Sequence, residues 1–120
     1  MSERWYSRPV LFVADVECAV GFYTSQLGFT AGWRYEEDGV LRVSEVARDE
    51  CTLIFSSQQP EKTGHGRMFI SLDPEPFERV KAEFAERGAP VKSGYWGYEL
   101  MVVEDPDGNE LFFPVPENAA

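Results

Sequence analysis

Two stretches of this chain read as one unit written twice. Leu11-Phe12-Val13-Ala14-Asp15 and Phe69-Ile70-Ser71-Leu72-Asp73 are strand-like runs closed by an aspartate, and each leads into an amphipathic stretch that stops at a glycine, Gly28 or Gly88. Nearly the same interval separates the two aspartates and the two glycines, so a duplicated strand-helix unit is the economical explanation, and a pseudo-twofold protein follows. At 120 residues the two copies must share one core, burying about 65% of the unfolded surface. Two independent domains would be too small.

Within the first copy, residues 9–14 read as a strand and Asp15 as the cap of a helix. Val16, Ala19, Val20, Tyr23 and Leu27 form one apolar stripe, which Gly28 closes. Strands at 29–35, 40–47 and 51–56 follow, separated by Glu36-Glu37-Asp38-Gly39 and Arg48-Asp49-Glu50 as turns. The second copy repeats the order: a strand at 67–72, a helix entered through Asp73-Pro74 with Phe77, Val80 and Phe84 on one face, a short strand near Val91, and strands at 98–104 and 110–115. Asp105-Pro106-Asp107-Gly108-Asn109 places Pro second and Gly fourth, the chemistry of a type I turn with a bulge. The expected organisation is a single α+β domain over residues 1–120: module one at about 8–56, a polar linker at 57–66, and module two at about 67–115. The tail from Glu117 reads as frayed.

Composition narrows the partners. A formal net charge of −10 repels nucleic-acid phosphates and anionic membranes and leaves cationic or neutral ligands, with simple solubility as the plainer reason for the charge. The opening Met1-Ser2-Glu3-Arg4-Trp5 has no apolar signal core, and no run approaches the ~20 residues of a membrane span, so a cytoplasmic location is expected. Cys18 and Cys51 lie near neither a histidine nor a second cysteine and read as small buried hydrophobes.

The run Pro9-Val10-Leu11 through Asp15-Val16, then Ala19-Val20, Phe22-Tyr23 and Leu27-Gly28-Phe29, with Asp105-Pro106-Asp107-Gly108-Asn109 before the last strand, resembles the glyoxalase, bleomycin-resistance and extradiol-dioxygenase superfamily. The similarity runs from about residue 8 to 115. It implies paired β-α-β-β-β modules whose curved mixed sheets enclose a ligand cavity, often completed by a second subunit. Enzymes of that superfamily hold a divalent ion through His, Gln or Glu at the start of the first strand and on the last strand of each module. The matching positions here are Arg8, Arg67 and Phe112, with Leu53 and Phe55 as the facing candidates on the strand 51–56. Guanidinium has no lone pair to give, and Phe and Leu cannot ligate, so no metal or other cofactor is expected. A slip of register would offer His65 and Glu110 instead, but His65 sits in a polar linker between glycines and reads as a loop residue.

Aromatic and cationic side chains stand where the ligands would be. Strand alternation sets Val10 and Phe12 with Arg8, Phe69 and Ser71 with Arg67, and Glu110 with Phe112, so one concave surface gathers several rings beside Trp33 and the cluster Tyr95-Trp96-Gly97-Tyr98. Inward rings are often plain core. Three rings around one glycine are costly to expose unless a ligand or a second subunit covers them. The nearest resemblance within the superfamily is to bleomycin-resistance proteins, which bind a large cationic glycopeptide without chemistry at a dimer interface. It implies that Trp33, Ser56, Phe69, Trp96, Gly108 and Asn109 contact the ligand, and the rings of Phe55, Tyr98 and Phe112 are expected to join them in binding it. Tyr98-Glu99-Leu100-Met101 departs from that pattern, and Arg67 would set positive charge near a cationic drug. The expectation is a metal-free protein, not an enzyme, that sequesters a cationic or aromatic small molecule as a homodimer, with Pro9 marking where the first strand could cross. The alternatives are a superfamily enzyme using Glu99, Glu110 or Tyr98 as acid or base, and a domain that only pairs with another protein.

Overall fold

The computed structural model of the chain describes residues 3–117; the expected frayed tail beyond Glu117 lies outside them. The first half runs β1 (Val10–Phe12), α1 (Val16–Ser25), β2 (Thr30–Glu37), β3 (Val40–Arg48) and β4 (Cys51–Ser56), with sheet order β1-β4-β3-β2. The second runs β5 (Arg67–Phe69), α2 (Pro74–Arg87), β6 (Val91–Tyr95), β7 (Glu99–Glu104) and β8 (Glu110–Pro114), with order β5-β8-β7-β6. In each sheet the first strand pairs parallel with the last and the other pairs are antiparallel. This is the expected α+β, twice-repeated architecture.

Both helices begin where their sequences dictate, and α2 also ends so, whereas α1 stops at Ser25 with Gln26 as its cap, two residues before Gly28. The Asp15 carboxylate accepts the Cys18 N–H at 3.0 Å, satisfying one of the orphan donors of α1. α2 carries Pro74 in its first turn and stops at Gly88, whose φ of 74° is the left-handed conformation glycine adopts without strain. The buried face of α1, Val16, Ala19, Val20, Phe22 and Tyr23, packs on Leu11, Val13, Val46, Leu53 and Phe55. Tyr23 is the hub, with ring centroids 4.7 Å from Phe55, 5.4 Å from Phe22 and 5.7 Å from Phe29. In the second half Phe84 meets Phe113 edge-on at 5.8 Å.

Three local readings change. The β2–β3 turn is tighter than expected: Asp38 and Gly39 both have positive φ, 51° and 77°, the two-residue geometry that suits the right-handed twist of a hairpin. β6 extends to Tyr95, so Tyr95-Trp96-Gly97-Tyr98 is the tip of a hairpin, closed by the Trp96 N–H donating to the Tyr98 carbonyl at 3.0 Å. Cys18 is exposed and Cys51 only half-buried, because Cys18 falls off the apolar stripe of α1.

The halves are joined reciprocally. The β7–β8 turn of the second half docks on α1: the Tyr23 hydroxyl donates to the Asp105 carboxylate at 3.0 Å in a dry environment, and Asp107 accepts the Ala14 N–H at 3.0 Å. The β3–β4 turn of the first half reaches α2 in turn, where Arg48 donates to both Glu83 carboxylate oxygens at 2.8 and 3.0 Å.

Candidate functional site

The faces of the sheets turned away from the helices carry most of the candidate residues. Across β6, β7, β8 and β5 the register aligns Lys92, Val102, Phe112 and Phe69, which therefore share one face. The hairpin tip folds Trp96 onto it. Trp96 lies nearly parallel to Phe69, with ring centroids 5.9 Å apart at 12°, and meets Phe112 edge-on at 4.9 Å. Leu100 and Val102 belong to this face by register and are almost fully buried, although α2 covers the opposite side. Trp96 itself remains 56% exposed, Tyr98 46% and Phe69 43%. Three of the expected residues thus form one contiguous aromatic platform open to solvent, with Tyr98 beside it on the same hairpin.

The remaining candidates divide by position. On the first sheet Ser56 pairs with Phe12 and Val43, and is nearly buried, its hydroxyl accepting the Gln58 N–H at 3.2 Å. Trp33 is half-exposed on β2, the outer strand, where its carbonyl accepts from the Ser44 hydroxyl at 2.9 Å. Phe55 does not face the cavity. It and Leu53 are fully buried on the α1 side of β4, because the bulkier apolar residues of the strand are the ones the helix covers, and the open side shows Thr52, Ile54 and Ser56 instead. Asn109 is also fully buried. Its Nδ2 donates to the Phe12 carbonyl at 3.2 Å and to Asp105 at 3.1 Å, and its Oδ1 accepts the Gly66 N–H at 2.8 Å, so its side chain ties the halves together. Gly108 takes φ of 98° within the same turn.

Charge on these faces is largely matched. Arg67 Nε pairs with Glu110 at 2.9 Å, while one terminal nitrogen, Nη1, donates to the carbonyls of Gly64, Gly66 and Gly108. Lys92 bridges Glu110 at 2.7 Å and Glu104 at 3.1 Å, and Glu110 ahead of Glu104 raises its pKa. On the first sheet Arg8 pairs with Glu45 at 3.3 Å. The positive charge that Arg67 was expected to place near a cationic ligand is thus compensated.

The positions that the resemblance marks for metal do not fit one. Arg8 and Arg67 offer donors only, Phe112 offers a ring, and among the described residues no group of three or more His, Cys, Asp or Glu is gathered that could hold an ion. His65 is an exposed loop residue. Burial raises the Cys51 thiol, and the neighbouring Asp15 carboxylate raises that of Cys18, so both stay protonated rather than nucleophilic.

Comparison with known proteins gives a consistent picture. The family model described as glyoxalase, bleomycin resistance protein and dioxygenase superfamily matches residues 5–113. A bleomycin resistance protein of Geobacillus stearothermophilus is 30% identical over 125 residues, spanning 89% of this chain and 93% of that protein, and one from Staphylococcus aureus strain MRSA252 matches equally. Among solved structures, TnmS3, an antibiotic binding protein from Streptomyces sp. CB03234, aligns over 95% of this chain and 98% of its own with a TM-score of 0.72 and 21% identity. The bleomycin-binding protein of Streptomyces verticillus, solved with copper(II)-bleomycin, aligns over 98% and 100% with a TM-score of 0.69 and 23% identity.

Proposed function

Since the chain belongs to the glyoxalase, bleomycin-resistance and dioxygenase superfamily, we propose that it is a binding protein that sequesters a planar, cationic antibiotic-like molecule without chemistry, acting in the cytoplasm as a homodimer of one-domain chains. The observation that carries this reading is the Phe69-Trp96-Phe112 platform, with Phe69 and Trp96 open to solvent and Phe112 half-buried beneath them, on a sheet face whose metal positions hold arginine and phenylalanine. Stacking on such rings suits a flat guest, and the net charge of −10 favours a cationic one.

The strand orders support the homodimer. β1 and β5 lie at the joint between the halves and β2 at the outer margin of the first sheet, so Trp33 and the Trp96 hairpin belong to separate margins of one chain. A second copy related by a twofold axis would bring the first half of one chain against the second half of the other, completing each groove with both tryptophans. Such an obligate pair buries roughly 2,000 Å² or more. Ser56, Tyr98 and Gly108 would then rim the groove.

Titration of the purified protein with bleomycin, followed by calorimetry, tests the reading. One guest per groove is expected, and Trp96→Ala should weaken it by about 2 kcal/mol or more, as loss of an aromatic anchor does. Unchanged affinity in the folded variant would return Trp96 to the role of surface filler. Sedimentation equilibrium over a hundredfold concentration range tests the pair, and a particle that stays at 13.6 kDa throughout would sink it.

A further inference from the structure

The reciprocal joints enclose space unequally. Where the β7–β8 turn meets α1, the Tyr23, Asp105 and Asn109 side chains are almost wholly buried, and the space left is a smaller groove of about 480 Å³ along Phe22, Asp105 and Pro106. At its pseudo-symmetric counterpart, where the β3–β4 turn meets β5 and α2, the junction stays open as a cleft of about 620 Å³. That volume is within the ~300–1,000 Å³ of small-molecule sites. The cleft lies on the helix side of the sheets, away from the aromatic platform, and shares no residue with it except Phe69 at one edge.

Its walls are apolar. Phe29, Met68, Ile70, Leu72, Val80 and Phe84 line it, and Met68, Ile70, Leu72 and Val80 are only partly buried although they pack against the core. Its mouth is charged. The Arg48 guanidinium is already paired through both terminal nitrogens with Glu83. Of the other charged lining residues, Asp49, Glu50 and Arg79, none enters an ion pair among the described residues. The exposed, unpaired charges of the lining are thus two carboxylates and one guanidinium, on a protein whose formal net charge is −10.

We propose that this cleft is a second ligand site, for a cationic amphiphile whose apolar tail covers the half-buried aliphatic wall while its ammonium group rests at the mouth beside Asp49 and Glu50. The inference does not depend on the platform reading, because the two surfaces lie on opposite sides of the sheets. Tail burial supplies the affinity. The two free carboxylates select the sign of the head group.

Calorimetric titration of the full chain with dodecyltrimethylammonium below its critical micelle concentration tests this, with circular dichroism checking that the fold persists. One molecule per chain is expected. Decyltrimethylammonium, two methylenes shorter, should bind about fifteenfold more weakly, from roughly fourfold per methylene, and dodecanoate at least about tenfold more weakly than its cationic counterpart. The exposed pair Asp49→Asn with Glu50→Gln should weaken binding several-fold without loss of fold, since Asn also tolerates the positive φ of 52° at position 49. Val80→Trp, which fills the cleft, should abolish it. The proposal is overturned if dodecanoate binds as tightly, if chain length has no effect, or if the carboxylate variant binds like the wild type. It is equally overturned if Trp96→Ala removes binding, which would move the amphiphile to the platform and leave the antibiotic reading intact.

Discussion

The two joints between the halves occupy equivalent places in a duplicated fold and are built from opposite chemistry. At the first, Asp105 sits almost fully buried and accepts four hydrogen bonds: from the Tyr23 hydroxyl, the Asn109 side chain, and the backbone N–H groups of Asp107 and Asn109. At the second, Arg48 and Glu83 are joined by two hydrogen bonds, but both side chains keep more than a quarter of their surface in water. Duplication fixes where two copies must meet, and what fills the meeting point is free to diverge. The sealed joint concentrates stability; the wet one leaves room.

The largest expected effect is at the sealed joint. Asp105→Ala strands four donors at once and should lower unfolding free energy by about 3 kcal/mol or more, read from urea denaturation; a loss below ~1 kcal/mol would put the two joints on an equal footing. Tyr23→Phe removes one donor and keeps the ring packing, so a loss of about 1–2 kcal/mol is expected in the same experiment. At the wet joint Arg48→Met should cost about 1 kcal/mol or less, because solvent already screens the pair. A larger loss there than for Tyr23→Phe would reverse the comparison.

Acid and base should separate the joints further. Burial, then the Asp105 carboxylate, pushes the Tyr23 phenol well above its ordinary range. A raised folded pKa gives stability that is complete below the unfolded value and lost above it, so the advantage of the wild type over Tyr23→Phe should shrink as pH rises beyond about 10. The Arg48 hydrogen bond holds Glu83 below its ordinary value of 4.5. Its contribution is present above that pH and lost as pH falls, so the advantage over Glu83→Gln should shrink in acid instead. Thermal unfolding of the three proteins across pH measures both trends.

Much of the architecture was legible because each element carries its own signal. The stripe Val16, Ala19, Val20, Tyr23 marked the face of α1, and Asp73-Pro74 with Gly88 marked the ends of α2. The ring platform was legible in part: alternation placed Phe69 and Phe112 on one face, but only the hairpin geometry of Tyr95 to Tyr98 brings Trp96 onto them. Phe55 was misplaced because the family position was followed over the alternation of β4, which sets Cys51, Leu53 and Phe55 on one side and the more polar Thr52, Ile54 and Ser56 on the other, the pattern of a helix-covered apolar face. The joints were hidden for a different reason. Asp105 and Asn109 are fully explained by turn chemistry, and Tyr23 by the apolar stripe, so nothing in either segment announces that they meet.

That meeting also has a direction in time. A chain made from its N-terminus exposes every strand of the first sheet once Ser56 has been added, and α1 can then close over Leu53 and Phe55. The Tyr23 hydroxyl then lacks the carboxylate it donates to in the finished fold, and water must take that place until residue 105 has been synthesised. The first half is therefore born incomplete, waiting on a single carboxylate from near the other end of the chain.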